Sequence, residues 1–243
     1  MINSKKYCVI DAGNTQVKIV DFEEDNIICQ QTLETKSIVT LQQILDQRKN
    51  IPSIVSSVLD EEDHHRIFKS FEPSILLTHQ TPLPLLLDEY KTPQTLGAGR
   101  IANAVAAAHF SSHKNALVID VGTCIKYDLT VDNRYIGGAI SPGFQMRTKA
   151  LHTFTGNLPF VELTKETPFI GKSTQESIRS GIIHGVNAEI NGNISRFSQQ
   201  YSPLTIFLTG GDLKKFDNNL KNSIFADENL TTKGLLLILK YNL

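Results

Sequence analysis

Asp120-Val-Gly-Thr-Cys124 and Asp11-Ala-Gly-Asn-Thr15 are two versions of one pattern, and their joint occurrence decides how the chain is read. Each follows a short apolar run, Ala116-Leu-Val-Ile119 and Tyr7-Cys-Val-Ile10 respectively. Each leads into an alternating run, Ile125-Lys-Tyr-Asp-Leu-Thr-Val131 and Gln16-Val-Lys-Ile-Val-Asp21. A buried strand, a tight turn with Asp, Gly and a hydroxyl, then a second strand is a hairpin signature. Glycine lets the backbone approach a ligand closely and frees N–H groups to face phosphate. Asp at the strand end can hold a cation or its bound water, and Thr can bind a phosphate oxygen. Two such hairpins facing each other would clamp a nucleoside triphosphate. One copy alone reads better as ordinary turn chemistry. Two copies in matching contexts outweigh that reading.

The duplication resembles the α/β, doubled ribonuclease-H-like fold of the acetate kinase, sugar kinase, heat-shock chaperone and actin superfamily. That fold carries two phosphate hairpins and a later adenosine-binding segment. Composition is compatible: 243 residues can bury a sizeable core, and 40% hydrophobic with 20% charged residues is ordinary for a globular chain. A formal net charge of −1 gives no footprint for nucleic acid or an anionic membrane. No apolar run is long enough to span a bilayer. The N-terminus runs into a strand without the apolar segment of a signal peptide. Cys8, Cys29 and Cys124 are far apart and odd in number, unlike a metal site or disulfide framework. A cytoplasmic protein is expected.

In chain order, Tyr7–Ile10, Gln16–Phe22 and Ile27–Thr32 read as a meander, with Asp25-Asn26 in the second turn. A helix over Ile38–Arg48, a strand over Ile51–Val58, a helix to about Ser70 and a strand over Ser74–Leu77 complete one half. His64 and His65 are adjacent on that second helix and read as a solvated face rather than a metal pair. An Ala-rich helix over Leu96–Phe110 precedes the second half. There, three strands over 116–140 turn at Asp132-Asn133 and helices cover Phe144–Phe154 and Thr174–Phe197, with a strand at Leu204–Leu208. Lys214–Leu220 reads as a short helix and Thr231–Lys240 as the closing one, although Leu235–Leu239 also fits a strand. The expected halves are residues 1–112, with the first phosphate motif, and 113–243, with the second phosphate and adenosine motifs.

Four more segments narrow the resemblance: Tyr90-Lys-Thr-Pro-Gln-Thr-Leu-Gly-Ala-Gly-Arg100, Gly137-Gly-Ala-Ile-Ser-Pro-Gly143, Gly171-Lys-Ser-Thr174 and Leu208-Thr-Gly-Gly-Asp212. With the two Asp-x-Gly turns, in this order and spacing, the chain resembles type III pantothenate kinase from about residue 7 to 240. That family phosphorylates pantothenate with ATP to give 4'-phosphopantothenate, the first step of coenzyme A biosynthesis.

The resemblance implies specific roles. Asp11, Ala12, Gly13, Asn14, Thr15, Gln16, Val17 and Lys18 match the first phosphate motif, with Asp11 near Mg2+ and Lys18 adding positive charge. A partly exposed strand lysine is the simpler reading of Lys18. Asp120 matches a ligand of the monovalent cation, K+ or NH4+, and Thr123 a contact to ATP. Gly210 and Gly211 match the adenosine segment, where Gly and Asp would equally serve a helix cap. Tyr90, Gly97, Ala98, Arg100 and Thr174 match substrate positions; Arg suits a carboxylate or phosphate. Cys124 stands where the family usually has Ala, and a buried Cys is a small apolar residue. In the family a second subunit completes the pantothenate pocket, which implies a homodimer.

One position departs. The family reads Gly-x-Asp-Arg, with the Asp as base toward the pantothenate hydroxyl, whereas this chain reads Gly97-Ala-Gly-Arg100. Gly99 cannot accept a proton. The sequence therefore fits a slow kinase using water or another carboxylate such as Asp11, a variant of an otherwise active enzyme, or a non-catalytic pantothenate- or nucleotide-binding regulatory paralogue on the same fold.

Overall fold

A computed structural model describes residues 4–164, 166–213 and 224–243. They form two compact units: Met1–His109 with Asn229–Leu243, and Phe110–Glu228. The Lys214–Leu220 helix expected from sequence lies outside the described residues.

The first unit opens with a meander of β1 (Lys6–Ala12), β2 (Gln16–Glu23) and β3 (Asn26–Glu34), then α1 (Ile38–Asp46), β4 (Ser53–Ser57), α2 (Glu61–Phe68) and β5 (Ile75–Leu76). Its sheet runs β3-β2-β1-β4-β5, with the meander antiparallel and β4 and β5 parallel to β1. β1 reads as a continuous apolar run because it is central: Cys8, Val9 and Ile10 are wholly buried. The outer strand β3 alternates between exposed and half-buried residues instead. Leu41 and Leu45 of α1 and Ile67 and Phe68 of α2 pack with Cys8, Ile10, Val17 and Ile19. Asp60 caps α2 through the Asp63 amide at 2.8 Å, and His64 is occupied by Ser57 Oγ at 3.1 Å and by the Phe68 ring.

The second unit repeats this plan. β6 (Asn115–Val121), β7 (Cys124–Val131) and β8 (Arg134–Pro142) form a meander, followed by α4 (Phe144–Thr153), α5 (Thr174–Tyr201), β9 (Leu204–Thr209) and β10 (Ile224–Ala226). The order β8-β7-β6-β9-β10 matches the first sheet strand for strand. Asp132 and Asn133, at φ 46° and 60°, make the β7–β8 turn. The strand β10 was not foreseen, and the first meander turns one residue early, at Glu24 and Asp25.

Between the two meanders runs α3 (Ala98–Phe110), and the chain ends in α6 (Leu230–Tyr241). The Leu235–Leu239 run is helical, and its all-round apolarity follows from burial. α6 packs on β1 and β4. A Cβ at Gly234 would lie 1.9 Å from the Ala102 carbonyl oxygen, so glycine permits contact between α6 and α3. The C-terminal residues therefore belong with the first unit, not with the second half as a simple division at 112/113 places them.

Behind the first sheet, Arg48 Nε and Nη2 donate to the Asp21 carboxylate at 2.8 and 2.6 Å, and Nη1 donates to the Ile44 carbonyl. Burial, helped by the adjacent Asp21 carboxylate, pushes the Cys8 thiol up to about 12 and keeps it inert. Arg48→Met leaves a desolvated carboxylate and should cost ~3–5 kcal/mol in urea denaturation, with Asp21→Leu in the same chain restoring much of the loss.

Candidate active site

The first hairpin turn closes on itself. Gly13 N donates to Gln16 O at 2.9 Å, so this glycine amide holds the turn rather than facing outward. Buried Thr35, just past β3, ties the turn back: its hydroxyl donates to Gly13 O at 2.8 Å and its amide to Thr15 O at 3.0 Å. A trans peptide opposes its C=O and N–H, so anchoring Gly13 O turns the Asn14 N–H away from Thr35. Asn14, Thr15 and Gln16 form the exposed rim, while Ala12 and Val17 are buried in the strands. Asp11, next to last in β1, lies opposite Lys18 and is half-buried. Lys18 Nζ donates to Asn229 Oδ1 at 2.6 Å, at the residue preceding α6.

The second turn is built alike but one residue shorter. Gly122 N donates to Cys124 O, and Gly143 N donates to Thr123 O at 3.0 Å. That last bond is the counterpart of Thr35 N to Thr15 O, so Thr123 and Thr15 hold equivalent exposed places. The Gly137–Gly143 segment is thus the strand that anchors the turn. Cys124 Sγ lies 3.8 Å from Met146 Sδ, an apolar contact.

Asp120 is next to last in β6, and β9 brings Thr209-Gly-Gly-Asp212 against it. Gly210 has φ 106°, and a Cβ there would lie 2.3 Å from Val121 O and 2.6 Å from Asp120 Oδ1. Only glycine fits. Asp212 N donates to Val121 O at 3.0 Å, fixing the loop, with Gly211 exposed beside it. Asp120 Oδ2 accepts from Lys126 Nζ at 2.7 Å. The sequence reading passed over Lys126, although it follows Asp120 much as Lys18 follows Asp11.

Beneath this turn, Glu189 of α5 joins three groups. Its Oε1 accepts from Tyr127 OH at 2.9 Å and Ser141 Oγ at 2.5 Å, and its Oε2 pairs with Arg147. Arg147 Nε also donates to Pro142 O, so the network braces the end of β8 that carries Gly143.

The substrate candidates divide. Tyr90, Gly97, Ala98, Gly99 and Arg100 lie in the first unit; Thr174 is exposed at the start of α5 in the second. Gly97 O receives the Arg100 and Ile101 amides and starts α3. Gly97 and Ala98 line a cleft of about 360 Å³ with Ser57, Thr78, His79 and Thr95, while Tyr90, Gly99 and Arg100 are not among its walls. Arg100 is buried. A Cβ at Gly99 meets nothing within 4 Å. At Thr174 the helix is capped by Ser173, which accepts from Glu176 N at 3.3 Å, while Glu176 accepts from Lys172 N at 2.7 Å. Among the described residues no group of three or more His, Cys, Asp or Glu is placed to hold a metal, and no helix is long and apolar enough to cross a membrane.

Residues 7–196 match the sequence profile of type III pantothenate kinase. The chain belongs to the type III pantothenate kinase family. Relatives of that name from Christiangramia forsetii and Bacteroides fragilis are each 41% identical over 240 and 238 residues, covering 96% of this chain and 98% and 97% of theirs. Among solved structures, a Baf family transcriptional activator from Campylobacter jejuni aligns with TM-score 0.65 and 20% identity over 97% of this chain and 98% of that one. A ROK hexokinase from Thermus thermophilus aligns with TM-score 0.50 and 9% identity over 96% and 97% of the two chains. These likenesses carry the fold: the doubled ribonuclease-H-like architecture expected from the two turns.

The Glu189 network predicts an acid response. Burial alone would raise its carboxyl, but hydrogen bonds from Ser141, Arg147 and Tyr127 outweigh burial and hold it below its ordinary value. A depressed carboxyl stabilises the fold above its unfolded value of ~4.3, and that contribution is lost as pH falls through the lower folded value. Glu189→Gln should therefore lose less stability than the wild type as pH is lowered below about 4.3, measured by urea denaturation across a pH series.

Proposed function

We propose that this protein is an ATP-dependent pantothenate kinase, transferring the γ-phosphoryl group to the pantothenate hydroxyl to give 4'-phosphopantothenate. The observation that carries this reading is the pair of equivalent turns, with Thr15 and Thr123 each fixed through its carbonyl by the third strand of its meander. Asn14, Thr15 and Gln16 would receive phosphate oxygens from one turn and Thr123 from the other, and Gly210 and Gly211 would admit the adenosine. Asp11 suits Mg2+, which takes one or two carboxylates and fills its shell with phosphate oxygens and water. Bound there, the ion would neutralise charge on the triphosphate. Tyr90, Gly97, Ala98, Arg100 and Thr174 would bind pantothenate, whose pocket a second copy completes in a cytoplasmic homodimer.

Gly99 sets the rate. A general base contributes ~10²–10⁴-fold. Phosphoryl transfer through a loose transition state depends more on positioning and charge than on early deprotonation, so turnover survives without the base. The second reading is a non-catalytic pantothenate- or nucleotide-binding regulator, which the same Gly99 favours.

Pantothenate-dependent ADP formation is the deciding assay. The wild type should turn over, and Gly99→Asp should raise kcat by ~10²–10⁴-fold with little change in KM for ATP. Equal rates would move the proton acceptor to Asp11 or solvent. Two inactive proteins with intact folds would replace the kinase reading with the binding one.

A further inference from the structure

The position at which the family resemblance expects potassium or ammonium already holds a cation, and that cation belongs to the chain. Asp120 and Lys126 are direct partners in the antiparallel β6–β7 register, so both side chains leave the same face of the sheet. Lys126 Nζ stands 2.7 Å from Asp120 Oδ2. The other oxygen is covered by the Thr209–Asp212 loop, because a Cβ at Gly210 would lie 2.6 Å from Oδ1. The Asp120 side chain is left 14% exposed, and that of Lys126 32%, so the pair is screened far less than a surface pair would be.

A lysine head group is chemically a tethered ammonium ion, with one positive charge and three N–H donors. A potassium ion placed on the same carboxylate would sit against a like charge at close range. The residues present therefore do not fit a free monovalent cation at Asp120. In the first hairpin the corresponding lysine, Lys18, also stands opposite its aspartate in register and donates to Asn229 Oδ1.

We propose that the Lys126 ammonium is the built-in monovalent cation of Asp120, making this protein independent of added potassium or ammonium. It neutralises a carboxylate that would otherwise repel a triphosphate beside Thr123 and Gly210. The nucleotide part of this inference rests on the kinase reading; the ion-pair part does not.

The test compares wild type, Lys126→Met and Lys126→Thr in potassium, ammonium or tetramethylammonium chloride at equal ionic strength. Melting temperature is read with and without Mg-ATP, and ATP affinity by calorimetry. Wild-type melting should be the same in all three salts, and its ATP affinity should vary by less than about twofold. The variants should melt lower and bind ATP at least about tenfold more weakly in tetramethylammonium, with both properties recovering in potassium or ammonium. Wild-type dependence on potassium, which needs no variant to detect, would overturn the proposal. So would variants indifferent to the salt. A wild type that binds no ATP in any salt would defeat the kinase reading, and the melting series would then decide the ion pair alone.

Discussion

In both units the end of the meander's third strand donates one backbone hydrogen bond to a threonine carbonyl, Thr35 to Thr15 and Gly143 to Thr123, each at 3.0 Å. Much of the local architecture serves that bond. It needs a third strand reaching the level of the turn, which β3 and β8 provide with nine residues each. It also needs the central strand to stop there, as β1 does at Ala12 and β6 at Val121. Both meanders carry a register shift toward the far end of their second strand, at Asp21/Phe22 and Leu129/Thr130. A bulge bends and twists a strand, so the irregularity is displaced from the turn and the pairing beside the turn stays regular.

The two halves share this constraint, and each sets a lysine opposite its aspartate across the hairpin. The first turn is longer by one residue, which puts Lys18 seven positions after Asp11, whereas Lys126 is six after Asp120. Both lysines still face their aspartates in register, because the extra residue is absorbed in the turn. The first lysine is bonded to Asn229 and the second to Asp120. Buried charge is handled separately as well. Arg48 grips Asp21 on the first sheet, and Arg147 with two hydroxyls grips Glu189 under the second. An ion pair in such a place adds less net stability than its geometry suggests but is costly to break on one side.

Much of this was legible in the sequence, and the failures have physical causes. The apolar runs at Tyr7–Ile10 and Ala116–Ile119 announced central strands because both faces of such strands are covered. The repeated Asp-x-Gly turn announced the duplication. Less legible was the allegiance of α6, which depends on the contact of Gly234 with Ala102, over one hundred positions away in sequence. The three-residue strand β10 is too short for periodicity to reveal. Lys126 was missed because its meaning depends on register: a lysine in an alternating strand is unremarkable until its opposite number is known to be Asp120. Glu189 was hidden for the same reason, lying on a long helix whose apolar face gives no hint of the hydroxyls waiting on β7 and β8.

Gly99 is informative because stability offers no reason for it. It is the second residue of α3, where the helix dipole favours an acidic side chain and glycine costs about 1 kcal/mol relative to alanine in a helix interior. Space offers no reason either, since a Cβ there meets nothing. The surrounding frame is intact: Gly97 O starts the helix, and Arg100 is buried one residue on. The fold therefore has room for a side chain at this position and does not itself require glycine there. Under the proposed function, positioning and charge neutralisation, the larger part of phosphoryl transfer, would fall to the two turns and Arg100, and proton removal to a group within reach of the substrate hydroxyl.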